Sequence, residues 1–287
     1  MGVLDELVSN QPPEALYHYT SLDGFLGILS TGVLWASKIQ YLNDSTEYLF
    51  TIGLAEELLL ERLEGEFNEK EKNKIKGMLR GIGGISQLNV CVCSFSEKRD
   101  VLSQWRAYGG RSGVSIGFNS SNLLAQADQQ EFIVAQCIYD EEQQKILISQ
   151  LIDETLSVDF NTSSGYMDPD RPNTYVVLST DGGFHLSLAK LAPFIKNNAF
   201  HEEKEWRLIS MGGISVHNMT FRSGSSMIIP SFDFRLGDDK KAYISDIIVG
   251  PTPHPDLSRS SILSLLAHYD AVRGVEVSSS EVPYRNW

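Results

Sequence analysis

Leu22, Phe25, Leu26 and Leu29 recur at i, i+3, i+4 and i+7, a spacing that predicts a helix capped by Ser21 and stopped by Gly32. The aromatic-rich segment before it, Ala15-Leu-Tyr-His-Tyr-Thr20, reads as a short strand, and Val33–Ser37 after it as a second one. Tyr41-Leu-Asn-Asp44 predicts a turn that caps a long helix over about 45–63. Residues 68–80 predict a solvated helix, and Gly81, Gly83 and Gly84 a loop. Leu88–Phe95 is almost continuously apolar, as a strand buried on both faces is. A short helix over 101–108 precedes a Gly109-Gly110 turn. Strands are expected over 113–118 and 132–139, and a helix over 141–156.

Residues 157–183 carry Asp-Pro, Arg-Pro and Gly-Gly punctuation and predict an insertion or mobile loop. A helix follows over 186–196, kinked or shortened at Pro193. The remainder reads as short strands over 205–210, 216–221, 226–229, 243–249 and 274–277, interrupted by a helix over 257–268. Helices concentrate early and strands late, with both mixed throughout. That pattern predicts one α+β domain spanning 1–287. A doubly wound nucleotide-binding sheet is disfavoured: strand spacing is irregular, and neither GxGxxG after a strand nor GxxxxGK[ST] occurs.

Composition narrows the class. Hydrophobic residues make up 42% and charged residues 21% of the 287, which excludes a wholly disordered chain. No apolar run approaches the roughly 20 residues of a membrane helix. The opening MGVLDELVSNQPPE lacks a basic region followed by an apolar one, so no signal peptide is expected. Three cysteines, an odd number in a long chain, read as reduced thiols of a cytoplasmic protein. Thirty-seven acids face 24 bases, and the net charge of −13 repels phosphate backbones. This disfavours indiscriminate nucleic-acid binding and leaves room for one local basic site. The run 68–80, with five bases and two acids, reads as an exposed helix face.

Four polar clusters call for explanation. His18-Tyr19-Thr20 ends the first strand; its imidazole is either a core histidine or a donor to a ribose hydroxyl, beside backbone that can pair with a carboxamide. Asp44 and Glu47 have capping-box spacing, and a metal site joining them to His201 is the alternative, without HExxH or CxxC support. Cys93-Ser-Phe-Ser-Glu97 runs into Gln104-Trp-Arg-Ala-Tyr108, where Trp105 and Tyr108 share a helix face as either an aromatic wall or a core plug. Cys93 has no identifiable histidine partner in sequence to make it a nucleophile. In His201–Ser210, alternation puts Glu203, Glu205 and Arg207 on one strand face and Trp206 and Leu208 on the other. The two acids repel unless a base or ligand lies between them, which raises at least one carboxylate pKa and suits stabilisation of a cation. The alternative is an edge strand with a solvated charged face.

Taken in order, these segments resemble the bacterial family of domain of unknown function 2971. The resemblance runs through Leu16-Tyr-His-Tyr-Thr, Ile28-Leu-Ser-Thr-Gly-Val-Leu-Trp-Ala-Ser and Leu42-Asn-Asp-Ser-Thr-Glu, then Cys93-Ser-Phe-Ser-Glu, Gln104-Trp-Arg-Ala-Tyr-Gly and Gly113-Val-Ser-Ile-Gly-Phe. It continues through Glu203-Lys-Glu-Trp-Arg-Leu, Phe221-Arg-Ser-Gly-Ser-Ser-Met-Ile-Ile-Pro, Ile248-Val-Gly-Pro and Ser280-Glu-Val-Pro-Tyr-Arg. More distantly, His-Tyr-Thr before a helix, Val92-Cys-Ser-Phe-Ser, and Glu205 opening a strand resemble the ordered motifs of ADP-ribosyltransferases, especially toxins that modify DNA.

The second likeness implies a split sheet flanked by helices and a set of roles around NAD as substrate. His18 holds the adenosine-side ribose, and the backbone of Tyr19 and Thr20 binds the nicotinamide amide. Phe95 or Tyr108 stacks on the nicotinamide, with Ser94 or Ser96 near the ribose or amide. Glu205 accepts a hydrogen bond from the ribose 2′-OH as an oxocarbenium forms, and Glu203 orients or deprotonates the acceptor. Arg222, Arg106 and Arg207 are the candidates for the diphosphate. The sequence departs from the likeness in lacking a Gly directly after His18 and in leaving the catalytic role open between Glu203 and Glu205. Asn43, Asp44 and the Pro283-Tyr284-Arg285 segment have no role in it. What the likeness implies is transfer of ADP-ribose from NAD to protein, nucleic acid or water, as in a bacterial toxin or phage defence; separately, the lack of a long apolar run argues against a membrane partner. The alternatives are a catalytically inactive nucleotide- or nucleic-acid-binding module on the same fold, and a metal-dependent hydrolase or nuclease built on Asp44, Glu47 and His201.

Overall fold

Strand β1 (Ala15–Ser21) turns directly into helix α1 (Leu22–Thr31), because Ser21 stays extended and its side chain accepts from the Gly24 N–H. Gly32 closes the helix at φ +69°, where a side chain would be strained, and its N–H returns to the Ile28 carbonyl at 2.8 Å. The computed structural model describes Val3 and residues 7–8, 10–42, 45–110, 112–157, 165–167, 175–177, 183–211, 214–224, 226–237, 243–269 and 274–284. Asn43, Asp44, the Glu47 side chain and Arg285 lie outside the described residues.

Strand β2 (Val33–Lys38) precedes helix α2 (Ser45–Glu64) and helix α3 (Glu69–Gly81). Asn68 and Glu71 close a reciprocal capping box at the start of α3. The expected glycine loop is instead a 3-10 turn over Ile82–Gln87, anchored by the buried Ile82 and Ile85. Strand β3 (Cys91–Ser96), helix α4 (Leu102–Tyr108) and strand β4 (Gly113–Asn119) follow. Helix α5 (Ser120–Gln129) has no counterpart in the sequence reading: it buries only Ser120, Leu123 and Ala127, too few apolar positions to show a period. Strand β5 (Phe132–Gln136) leads into helix α6 (Glu141–Ser157).

Within the expected insertion, β6 (Gly165–Met167) and β7 (Tyr175–Val177) pair as a separate hairpin. Residues 158–164, 168–174 and 178–182 of that segment lie outside the described residues. Helix α7 (Phe184–Leu191) gives way to a 3-10 turn at Ala192–Phe194, where Pro193 removes an amide donor. Strand β8 (Glu205–Ser210) comes next. The expected strand over 216–221 divides into a 3-10 turn (Val216–Asn218) and strand β9 (Thr220–Ser223), while the next one extends past Pro230 as strand β10 (Ile228–Arg235). Strand β11 (Ile244–Val249), helix α8 (Pro255–His268) and strand β12 (Glu276–Ser279) complete the chain.

Ten strands form one sheet, ordered β12-β11-β4-β1-β3-β2-β10-β9, with β8 and β5 attached beside β3. Strands from both ends of the sequence thus share one sheet, of the α+β class. Leu16, Phe118, Leu208 and Phe234 meet Phe25, Leu123 and Ile262 of α1, α5 and α8 on one face. Val92, Ala135 and Ile209 meet Leu59, Ile75, Ile148 and Leu188 of α2, α3, α6 and α7 on the other. Truncating a fully buried leucine such as Leu208 or Leu188 costs about 2–5 kcal/mol. No helix among the described residues is long and apolar enough to cross a membrane.

The pairing around β3 contains a fork. Strand β8 pairs along one edge, from Val92↔Ile209 to Ser96↔Glu205. Val92 also pairs with Ser37 of β2, and Ser96 also pairs with Tyr17 of β1. Strands β1 and β2 therefore share the edge opposite β8, and they diverge between those two contacts. Along that edge Cys93, Ser94 and Phe95 have no strand partner.

Candidate functional site at the fork of the sheet

His18 fills the fork. Its Nδ1 lies 2.9 Å from the Ser94 carbonyl. A carbonyl only accepts, so Nδ1 carries the proton, and the neutral ring presents Nε2 as an acceptor. Burial lowers the His18 pKa, while the Ser94 contact opposes that shift. This corrects the expected polarity. The Nδ1 proton is committed to Ser94, and a hydroxyl meeting Nε2 would donate to it.

The imidazole also lies 3.8 Å from the Cys93 sulfur, a neighbour 75 residues away that spacing alone did not reveal. Burial pushes the Cys93 thiol up to about 12, with Arg222 and Glu205 as the charges that reach it. A thiol held protonated beside a neutral imidazole is not an activated nucleophile.

Strand β8 is interior, not an edge: β3 and β5 flank it, and all six of its residues are buried. Glu205 and Arg207 share a face, as alternation predicts. Glu203 sits before the strand at the end of a 3-10 turn (Asn198–Glu203), and Lys204 at φ +44° redirects the chain between the two acids. Both carboxylates reach the buried Lys196, whose Nζ stands 2.8 Å from Glu203 Oε2 and 2.5 Å from Glu205 Oε2. Arg207 grips Glu205 from the other side, with Nε 2.7 Å from Oε1 and Nη2 3.1 Å from Oε2. Its Nη1 donates to the Pro193 carbonyl at 2.6 Å.

A base does lie between the two acids. The expected rise in pKa is reversed at Glu205. Burial pushes its carboxyl up, but Arg207 and Lys196 outweigh burial and hold it at about 2. Both oxygens of Glu205 are therefore engaged. Glu203 makes its contact through Oε2, and its Oε1 has no partner among the described residues.

The other predicted residues divide into structural and open positions. Tyr19 is buried, donates to the Lys98 carbonyl at 2.7 Å, accepts from the Val101 N–H at 3.1 Å and packs edge-on against Trp105. Beyond Tyr17, the fork side of β1 around Tyr19 and Thr20 has no strand partner. Phe95 is buried against His18 and Phe118. Ser96 is buried too; its hydroxyl donates to the Glu203 carbonyl at 2.6 Å and accepts from the Lys98 N–H, fixing the turn before β8. Ser94 is half-buried, opposite Arg207. Trp105 plugs the core and donates its indole N–H to Asp100, whereas Tyr108 is 37% exposed. Burial moves the Tyr108 hydroxyl up to about 12, and Glu205, Lys196, Glu203 and Arg207 lie within electrostatic reach of it.

The three candidate arginines also part company. Arg207 is committed to Glu205, and Arg106 lies over the Tyr284 ring at 5.3 Å. Arg222 donates to Ser37 Oγ at 3.1 Å and lies over the Trp35 ring at 5.5 Å. The Pro283-Tyr284 segment belongs to a structural strap: Asp100 accepts from Ser280 Oγ and the Glu281 N–H as well as from Trp105. A groove of about 450 Å³ runs along this strap, and none of the predicted site residues lines it. His201 is exposed and bonded to the Asn198 carbonyl, and no group of three possible metal ligands occurs among the described residues. Lys196 is the residue that sequence reasoning missed. The signal for it was the unpaired Glu203 and Glu205, which required a nearby base.

Fold and site define an α+β protein with a buried charge cluster beside a forked sheet. Residues 104–208, from Gln104 of α4 to Leu208 of β8, match the model of a family described as a protein of unknown function (DUF2971). The resembling motifs before and after that segment lie outside the match. No curated protein matches the chain. No solved structure matches it either.

Proposed function

We propose that the protein binds NAD at the fork and cleaves its nicotinamide–ribose bond, passing ADP-ribose to protein, nucleic acid or water. The observation that carries this reading is the Glu203–Lys196–Glu205–Arg207 cluster beside Tyr108, with one carboxylate oxygen, Glu203 Oε1, still open. Two acids on a forked sheet, one locked and one available, suit a reaction whose transition state is an oxocarbenium cation.

The roles implied by resemblance then divide as follows. Glu203 accepts from the ribose hydroxyl or from the incoming nucleophile. Glu205 stays ionised and holds Lys196, and through it the Glu203 carboxylate. His18 Nε2 accepts from a ribose hydroxyl, and Tyr108 offers the ring against which nicotinamide packs. As the C1′–N bond breaks, its electron pair leaves with neutral nicotinamide. The nucleophile bonds to C1′ and loses its proton to Glu203.

Nicotinamide release from NAD tests the reading. Glu203→Gln is expected to slow release by about 100-fold or more while leaving the fold intact. Release at the wild-type rate in that variant contradicts the assignment.

A second reading is favoured by one observation: both Glu205 oxygens are occupied by protein cations. On that reading the fork is a catalytically inactive nucleotide-binding site. Stoichiometric NAD binding without turnover distinguishes it.

A further inference from the structure

Helices α2 and α3 form an antiparallel hairpin joined across residues 65–68, and both also rest on α6. Their outward faces differ in charge. On α2 the exposed stripe includes Leu49, Gly53, Glu57, Leu60, Glu61 and Glu64, spaced three or four residues apart. Leu49 is 61% and Leu60 54% exposed, so the stripe is apolar as well as acidic. On α3 the exposed stripe carries Lys70, Asn73, Lys76 and Arg80. A basic stripe stands out on a chain of net charge −13.

The two stripes do not neutralise each other within the chain. Among the described residues, none of Glu57, Glu61, Glu64, Lys76 and Arg80 makes an ion pair. Arg80 bends back instead, donating through Nε to the Lys76 carbonyl at 3.2 Å. The ion pair that α2 does make, Arg62 with Asp153, points the other way, to α6. Equal steps from the shared turn bring the stripes level. Glu57 and Lys76 each stand seven residues from it, counted from Glu64 and from Glu69. Eleven residues from it, Gly53 stands level with Arg80 and leaves space for a long side chain.

We infer that the α2–α3 hairpin is a self-complementary surface that pairs with a second copy of this chain. A two-fold axis running along the hairpin, between its helices, lays α2 of each copy on α3 of the other, so both acid–base contacts form at once. Glu57 then meets the Lys76 position across the interface, and Leu49 and Leu60 lose water. Helices of 20 and 13 residues, at about 1.5 Å rise and about 10 Å width, offer roughly 500 Å² per copy. The total of about 1,000 Å² is at the lower bound of a specific interface, which makes the dimer reversible. Salt acts on it in two ways. At about 0.1 M the repulsion between two acidic chains is screened beyond about 10 Å while contact pairs persist; at about 1 M the contact pairs are screened too. The dimer does not draw on the nucleotide reading.

Sedimentation of the full chain at about 0.1 M and about 1 M salt tests the surface. The wild type is expected to dimerise at the lower salt and to weaken about tenfold or more at the higher. Two charge-reversed chains are compared with it, one carrying Glu57→Lys and Glu61→Lys, the other Lys76→Glu and Arg80→Glu. Each alone is expected to stay monomeric, because like charges then face each other. Mixed in equal amounts they are expected to form a heterodimer, because both contacts are again complementary. Leu60→Ser, which alters no charge, is expected to weaken the wild-type dimer at both salt concentrations. Thermal melting of each variant verifies the fold. A wild type that is monomeric at both salt concentrations overturns the inference. So does a dimer that either reversal leaves unchanged, or a pair of folded reversed chains that stay monomeric when mixed.

Discussion

Arg207 and Arg222 lie on the same face of one sheet, on opposite sides of the fork, and they are treated in opposite ways. Arg207 is buried on an interior strand, and its guanidinium is spent on Glu205 and the Pro193 carbonyl. Arg222 is on the outer strand β9, half-buried, with one bond to Ser37 and a buried Nε left over. A satisfied buried cation holds its neighbours in place. Arg222 keeps one buried donor without a partner among the described residues. The sequence motifs EWRL and FRSG, each with one arginine, do not distinguish the two; only the partners do.

The sharpest break in that comparison is removal of Arg207. Arg207→Met strands the Glu205 carboxylate with Lys196 alone and is expected to cost about 3–5 kcal/mol, read as a large fall in Tm. Adding Glu205→Gln to it is expected to cost less than the sum of the single changes, because the two residues form one unit.

Acid gives the next effect. Glu205 is held at about 2 in the folded chain, below the ordinary carboxylate value near 4.3. Its stabilisation is therefore complete above the unfolded value and is lost as pH falls through the folded one. Denaturant unfolding between pH 6 and pH 2 is expected to show a loss of about 3 kcal/mol from this group, and Glu205→Gln to remove that part of the pH dependence.

Smallest is the stability effect of Arg222. Arg222→Gln gives up one hydrogen bond to Ser37 and also the unpaired buried Nε, so stability is expected to change by no more than about 1 kcal/mol. A loss as large as that for Arg207→Met would make Arg222 a structural residue as well.

Local signals were legible. Ser21 and Gly32 bound α1 as their chemistry requires, and α3 begins at its capping box. Elements with few apolar positions were not: α5 buries one short stripe, and Pro230 hides the continuation of β10. The site was legible in part. Repulsion between Glu203 and Glu205 pointed to a base, but Lys196 lies at the end of a segment that reads as helix, and the bend at Lys204 that joins them is tertiary. The direction of the Glu205 shift followed from two cations whose positions the sequence could not give. Likewise, His18 meeting Ser94 and Cys93 depends on β1 and β2 sharing one edge of β3, a choice of partners made across the whole chain.

On the proposed reading, the fork carries NAD chemistry through Glu203, with Glu205 as its anchor. Direct measurement of nicotinamide release by the wild type, Glu203→Gln and Glu205→Gln tests it most directly. Release by the wild type and a loss of about 100-fold or more in Glu203→Gln are expected. Wild-type release by Glu203→Gln contradicts it, as does NAD binding to the wild type without any release.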